Sequence, residues 1–102
     1  MTETTREYII PIIKQYFSTK PMEKAWLFGS FARGEERQDS DIDILFSTIP
    51  NQYFSLLTYG GMYMDLKALL GREIDLVKED YLLPFAVESA NKDKILFYER
   101  AH

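Results

Sequence analysis

The sequence predicts an α+β (α/β) domain in which a small mixed β-sheet is flanked by helices. Short alternating or fully apolar runs, which are typical of strands, are interspersed with stretches of helical spacing. Glycine and proline separate these runs at close intervals. There is no internal repeat and no low-complexity tract. The expected order of elements is therefore α-β-β-α-β-α-β.

The first predicted element is an amphipathic helix. Apolar residues recur at helical spacing from Ile9 to Phe17, and Thr4 with Glu7 forms a capping-box pattern. Pro11 lies inside this pattern and lacks the backbone N–H that a helix interior uses. The helix should therefore either kink at Pro11 or begin near it.

The later elements follow from apolar runs and the residues that end them. Four runs are predicted to be strands: 23–28, 41–46, 73–77 and 95–98. The segment 51–70 has helical spacing in its second half, and Gly71 suits the position after a helix end. Gly60 and Gly61 are expected to interrupt this helix, since glycine destabilises helix interiors. Residues 79–91 are expected to form one or two short helical turns.

Length and composition limit the classes of function. The 102 residues are one domain's worth of chain, so we expect a single domain over residues 1–102. An apolar content of 46%, with 15% aromatic residues, supports a real core and excludes intrinsic disorder. The net charge of −4 argues against general nucleic-acid binding. Because the chain has no cysteine, disulfide scaffolds, Cys-type zinc clusters and thiol nucleophiles are excluded.

No segment predicts export or a membrane span. The first residues are polar, whereas a signal peptide needs a basic start, an apolar region and a small-residue cleavage site. No window approaches the ~20 apolar residues of a membrane-spanning helix. We therefore expect a soluble, cytoplasmic protein with no membrane partner.

A glycine and a serine follow the first predicted strand, where a helical turn should begin. Gly29 and Ser30 would there present backbone N–H groups and a hydroxyl together, the arrangement that receives a phosphate. Gly29 also permits close approach of the phosphate to the backbone. Arg33 either steers the phosphate or is a helix-end cation beside Gly34.

Three aspartates in predicted strands are candidates for the chemistry. Asp41 and Asp43 are two residues apart, so a strand places them on the same face. Two such carboxylates can share a divalent cation such as Mg²⁺, and a pair of such ions clamps an in-line phosphoryl displacement. Asp75 would complete a catalytic and metal-binding triad and accept the proton of the attacking hydroxyl.

The spacing of these residues resembles the signature of a known superfamily. Gly29 and Ser30, followed after ten residues by Asp41 and Asp43, are similar to the motif of the polymerase beta-like nucleotidyltransferases. More narrowly, nearly the whole chain resembles the minimal nucleotidyltransferase (MNT) domain, the antitoxin of HEPN/MNT toxin–antitoxin pairs. By this resemblance, Ser30 contacts a triphosphate, Asp41 and Asp43 bind metal, and Asp75 is the third carboxylate.

The resemblance also implies a fold, an activity and a partner. The fold is that of the polymerase beta-like nucleotidyltransferases. The activity is the Mg²⁺-dependent transfer of AMP from ATP onto a tyrosine of a HEPN ribonuclease toxin, which silences the toxin. Two other functions fit the same residues: a non-catalytic antitoxin that acts by contact alone, and nucleotide transfer to a small molecule or RNA. The missing acceptor domain and the acidic charge argue against the last.

The chain departs from the MNT pattern around Gly60 and Gly61. Aromatic and methionine residues replace the regular, charged helix expected there: Tyr53, Phe54, Tyr59, Met62 and Tyr63. This cluster is interpreted as core or as a partner surface, with a slight preference for the surface. Because the chain leaves no room for an acceptor domain, acceptor recognition is expected to come from a partner or from a second copy of the chain.

Overall fold

The computed structural model describes residues 5–34, 41–81 and 92–101. The elements in chain order are α1 (Thr5–Phe17), β1 (Met22–Phe28), the short helix α2 (Ser30–Arg33), β2 (Ile42–Thr48), α3 (Leu56–Leu70), β3 (Ile74–Lys78), a 3-10 turn (Glu79–Tyr81) and β4 (Ile95–Glu99). None of the helices in these ranges is both long enough and apolar enough to cross a membrane. The predicted elements are therefore present, and the part of 79–91 beyond the 3-10 turn lies outside the described residues.

The described strands form one mixed sheet in the order β3-β2-β1-β4. β1 pairs antiparallel with β2 and with β4, whereas β2 and β3 are parallel. Helix α3 forms the crossover between the parallel strands, as a parallel pair requires. The predicted fold class, a small mixed sheet with helices, is confirmed.

The main core lies between the sheet and helices α1 and α3. Ile9, Ile13 and Phe17 are fully buried along one side of α1, as their helical spacing predicts. They join the same cluster as Ile42 and Ile44 of β2. Each buried side chain of this size contributes ~1.5–3 kcal/mol, so this layer supplies most of the stabilisation.

Helix α1 begins well before Pro11, although one of the two alternatives predicted from the sequence places its start near that residue. It spans Thr5–Phe17 and contains Pro11 in its interior, so the prediction that it begins near this proline is wrong. Pro11 removes one backbone hydrogen bond from the helix. Ile9 and Ile13, on either side of it, are buried and hold the helix against the sheet. Thr4, from the predicted capping box, lies outside the described residues.

Helix α3 is continuous through Gly60 and Gly61, so the predicted interruption is wrong. Each glycine costs a helix interior ~1 kcal/mol relative to alanine. Met62 and Leu66 are buried against the sheet and offset this cost. Tertiary packing therefore decides the conformation against the local preference.

Both ends of α3 are capped. The Ser55 side-chain oxygen accepts a hydrogen bond from the Thr58 N–H at 3.0 Å. Gly71 adopts the left-handed conformation at φ 62°, and its N–H donates to the Lys67 carbonyl oxygen. The predicted role of Gly71 after the helix end is confirmed.

The aromatic and methionine residues around the two glycines belong mainly to the core. Met62 is buried, and Phe54, Tyr59 and Tyr63 pack against the main cluster. Tyr53, by contrast, is 89% exposed. The slight preference for a partner surface is therefore wrong for Met62, which is core, whereas Phe54, Tyr59 and Tyr63 are only partly buried and for them it stays a prediction.

A smaller apolar cluster lies on the other face of the sheet. It is formed by Trp26 and Leu45, with Phe28 and Val77 packed against it. The Lys94 amine lies 4.4 Å from the centre of the Trp26 ring, within reach of a cation–π contact. This face is thus apolar in the middle, and its acidic residues lie at one end.

Candidate active site

The directions of three strands bring the predicted site residues to one end of the sheet. Phe28, the last residue of β1, pairs with Asp43 of the antiparallel β2. Asp75 of the parallel β3 lies opposite Asp43 on its other side. Because neighbouring strands are ~4.8 Å apart, the turn that begins at Gly29 and both aspartates lie side by side.

The acidic residues of the strands lie on the face opposite helices α1 and α3. Ile42 and Ile74, which precede the two aspartates, are buried in the main core, and successive strand residues point to opposite faces. Asp43 is half-buried, whereas Asp75 is exposed. Asp41 immediately precedes β2 and is also exposed.

Negative charge is concentrated around Asp43. Burial, followed by the negative charges of Asp75 and then Asp41, raises the pKa of Asp43 to about 6. The positive charge of Arg33 acts in the opposite direction. The structure therefore brings Asp41 and Asp75 within electrostatic reach of Asp43. Within the described ranges, however, no three His, Cys, Asp or Glu side chains form a group that could hold a metal ion unaided.

The Asp43 carboxylate explains why position 29 is glycine. Gly29 has a φ of 71°, in the left-handed region that side chains disfavour. A Cβ atom built at this position would collide with the Asp43 carboxylate. The close approach at Gly29 is therefore made by a side chain of the protein itself, and the approach of a phosphate stays a prediction.

The predicted phosphate-binding turn continues into α2. This helix begins at Ser30, whose side chain lies outside the described part of the structure. The backbone N–H of Arg33 donates to the Gly29 carbonyl oxygen at 3.1 Å and closes the turn. The Arg33 guanidinium lies 3.6 Å from the Asp93 carboxylate. Arg33 therefore adds positive charge beside the acidic cluster, and both interpretations of it, phosphate ligand and helix-end cation, remain open.

A cavity next to Asp75 was not predicted from the sequence. Its volume is about 380 Å³, and it lies between the outer edge of β3, the start of α3 and the 3-10 turn. Phe54, Tyr59 and Tyr81 give it aromatic walls, while Asp75 and Lys78 add charged groups. Sequence patterns indicated Phe54 and Tyr59 but neither Tyr81 nor the elements that these residues face, since the cavity depends on tertiary packing.

We expect Gly29→Ala to destabilise the protein more than Gly34→Ala. Both glycines have left-handed φ angles, 71° and 73°, so alanine costs each position ~1–2 kcal/mol of backbone strain. Only at Gly29 does the added Cβ meet a neighbour, the Asp43 carboxylate, whereas the space at Gly34 is open. The collision should add about 1–3 kcal/mol, measured as a loss in the free energy of unfolding in urea. Equal losses in the two variants would contradict the observed contact.

Comparison with known proteins assigns the family. The chain matches the family model described as "Polymerase beta, Nucleotidyltransferase" over residues 9–102. It belongs to the polymerase beta nucleotidyltransferase family. The resemblance inferred from the Gly-Ser and Asp-Ile-Asp motif is therefore confirmed, and the acidic cluster lies in a nucleotidyltransferase domain.

Similar proteins of this nucleotidyltransferase family carry related names. "Putative protein adenylyltransferase MJ1379" of Methanocaldococcus jannaschii is 35% identical over 85 residues, which are 82% of each chain. "Protein adenylyltransferase MntA" of Thermococcus cleftensis is 47% identical over 58 residues, covering 55% of this chain and 54% of that protein.

A solved structure has the same fold as this nucleotidyltransferase. The structure is that of a tri-AMPylated Shewanella oneidensis HEPN toxin in complex with an MNT antitoxin. The match has a TM-score of 0.72 at 14% identity and covers 93% of this chain and 73% of that chain. At this identity the likeness concerns the fold alone, and it confirms the predicted architecture.

Proposed function

We propose that this protein is an antitoxin that transfers AMP from ATP to a tyrosine of a partner HEPN ribonuclease toxin. The observation that carries the proposal is that Asp43 lies in register with Asp75, against the turn at Gly29 and within electrostatic reach of Asp41. The names of the similar proteins support protein as the acceptor, and the structure of an AMPylated HEPN toxin with an MNT antitoxin supports the partner. Residues 1–102 would act as one domain, in the cytoplasm, where ATP is plentiful.

The triphosphate of ATP would bind at the start of α2. The left-handed Gly29 leads the chain into this helix, where backbone N–H groups at Ser30 and beyond can face a phosphate. The Ser30 hydroxyl would donate a further hydrogen bond. Arg33 would add positive charge at the acidic end of the sheet, where a polyphosphate needs it.

Mg²⁺ fits the chemistry of the acidic cluster. Hard cations bind carboxylate oxygens and usually complete their coordination with substrate phosphates. The raised pKa of Asp43 indicates that its described neighbours do not balance the charge of an ionised carboxylate. Asp41, Asp43 and Asp75 would hold two ions together with the phosphates of ATP. The bound metal supplies neutralisation of the charge on the reacting phosphate.

Asp75 would act as the base in the transfer step. The phenol of tyrosine has a reference pKa of ~10 and is a poor nucleophile at neutral pH, so its proton must be accepted. The phenolic oxygen then forms a bond to the α-phosphorus of ATP. The bond from this phosphorus to the bridging oxygen breaks, and pyrophosphate leaves with the electron pair. The exposed Asp75 is accessible to a tyrosine presented by a partner protein.

Co-expression with a neighbouring HEPN protein tests this function. We expect the HEPN partner purified from such cells to be heavier by whole AMP units in intact-protein mass spectrometry. The same partner expressed with an Asp41→Asn, Asp43→Asn double variant should have its unmodified mass. Full neutralisation of the toxin by the wild-type protein without any added mass would instead favour inhibition by binding alone.

A further inference from the structure

We propose that the cavity beside Asp75 is the binding site for the aromatic ring of the acceptor residue. This assignment rests on the proposed adenylyl transfer and adds the location of its second substrate. The cavity is the space bounded by Phe54, Leu56, Tyr59, Val77 and Tyr81, with Asp75 at its wall.

The lining favours a flat apolar group with one hydrogen-bond donor. The walls are mainly aromatic and aliphatic. Most of the polar groups in them are already bonded within the chain. The Tyr59 hydroxyl donates to the Leu76 carbonyl oxygen at 2.5 Å, and the Lys78 amine bonds to the Asp80 carboxylate at 2.5 Å. Ser55 caps α3. A phenol matches this combination, since its ring is apolar and its hydroxyl donates.

Asp75 is the acceptor that remains for such a donor. Among the described residues, Asp75 makes no hydrogen bond and no ion pair, and it is exposed on the face that carries Asp43. It is also close enough to the cavity wall to act on Tyr59, because burial and then the negative charge of Asp75 raise the pKa of that phenol. A hydroxyl in the cavity can therefore donate to the carboxylate proposed as the base.

The order of the strands places the cavity on the side from which the acceptor must attack. From the centre of the sheet outward, the site contains Gly29 at the end of β1, Asp43 on β2 and Asp75 on β3, and the cavity follows beyond β3. In an in-line displacement the attacking oxygen and the leaving pyrophosphate lie on opposite sides of the phosphorus. With the phosphates held near Gly29, attack comes from the side of Asp75.

The cavity is large enough to take an aromatic ring. Its volume of about 380 Å³ is near the lower end of the ~300–1,000 Å³ typical of small-molecule pockets. Tyr81 forms one wall, and its ring makes a cation–π contact with the Lys78 amine, which lies 5.2 Å from the ring centre. Strand β3 therefore forms one side of the cavity, and the 3-10 turn forms another.

Titration with N-acetyl-tyrosinamide, followed by ¹⁵N–¹H NMR of the full chain, tests the assignment. We expect saturable shifts at the amides of Val77, Lys78 and Tyr81, both with and without ATP and Mg²⁺. N-acetyl-phenylalaninamide, which lacks the hydroxyl, should bind at least about fivefold more weakly, since a hydrogen bond to a charged group is lost. Displacement of the tyrosine compound by ATP would overturn the proposal in favour of a nucleobase site.

Two exposed leucines provide a matched pair of variants. Leu56 is 85% exposed and lines the cavity, whereas the neighbouring Leu57 is 87% exposed and lines only the adjoining groove on α3, which Leu56 also borders. Leu56→Ala should raise the dissociation constant of N-acetyl-tyrosinamide by about threefold or more, and Leu57→Ala should leave it unchanged. Equal effects, or no binding at all, would overturn the assignment.

A parallel measurement of AMP transfer separates the two proposals. Binding of the tyrosine compound in the cavity, without transfer of AMP to any protein, would contradict the adenylyl transfer and leave the phenol site standing. Transfer to a partner that Leu56→Ala does not slow, with no binding in the cavity, would overturn the site and leave the function standing.

Discussion

Asp43→Asn is expected to abolish AMP transfer while making the protein more stable. Asparagine keeps the size of the side chain but removes a negatively charged metal ligand. Loss of a residue that only supports a metal ligand costs 10–100-fold, so the loss of a direct ligand should lower the rate by at least about 100-fold. At neutral pH the variant also lacks a negative charge that is unfavourable in the folded state. Burial, Asp75 and Asp41 make this charge unfavourable, and together they raise the pKa of Asp43 to about 6.

The gain in stability should depend on pH in a defined direction. The pKa of Asp43 rises from an ordinary value of 3.8 to about 6 on folding, so the folded state holds this proton more tightly than the unfolded chain does. Ionisation of Asp43 therefore costs stability as the pH rises through this window. The difference in melting temperature between variant and wild type should be absent below about pH 4 and complete above about pH 6.

Asp65→Asn is a suitable control for both effects. Asp65 accepts a hydrogen bond from the Tyr16 hydroxyl at 2.5 Å on the helical side of the sheet, away from the acidic cluster. Its replacement should lower stability slightly and leave transfer unchanged. Wild-type transfer by Asp43→Asn with Mg²⁺ and ATP would show that the metal assignment is wrong.

Asp75→Asn is expected to give a protein that binds ATP and its partner but does not label the partner. A positioned general base contributes ~10²–10⁴-fold to a rate, so labelling should fall by at least about 100-fold. The expected loss of labelling would not be caused by a weaker negative charge on Asp43. Removal of the Asp75 charge lowers the pKa of Asp43 toward its ordinary value and leaves that carboxylate more fully ionised.

Glu73→Gln removes the same charge two residues earlier in the chain. Glu73 is exposed and pairs with Lys67 at 3.1 Å, and it is not among the charges that raise the pKa of Asp43. Intact-protein mass spectrometry of the partner should show AMP units with Glu73→Gln and none with Asp75→Asn, while calorimetry should still detect ATP binding by both. If Asp75→Asn labelled the partner at the wild-type rate, another group would have to be the base.

Sequence patterns predicted the strands well because the two faces of this sheet have different environments, and these produce an alternating pattern of residue types. Alternation of acidic and aliphatic residues in 41–44 and 73–76 reflects one face against the helices and one at the site. The register in which two strands pair produces no such pattern in the sequence. The in-register position of Asp43 beside Asp75, and the collision that forces glycine at position 29, became visible only in the structure.

The prediction for α3 was wrong because it weighed local preference alone. Gly60 and Gly61 disfavour a helix, but the buried Met62 and Leu66 stabilise it through contacts with distant residues. The cavity beside Asp75 was missed for the same reason, since its walls come from three elements that are separate in the chain. Burial likewise raises the pKa of Asp43, which no spacing of residues reveals.

The position of β1 in the sheet determines when the sheet can close. One neighbour of β1 is the nearby β2, but the other is β4, in a pairing that joins Leu27 to Ile95. Contacts so distant in sequence form slowly. At a synthesis rate of ~5–20 residues per second, an interval on the order of seconds separates the synthesis of β1 from that of β4. An unpaired strand edge is a template for wrong pairing, so a newly made chain is most exposed to aggregation, and most open to help from chaperones, in that interval.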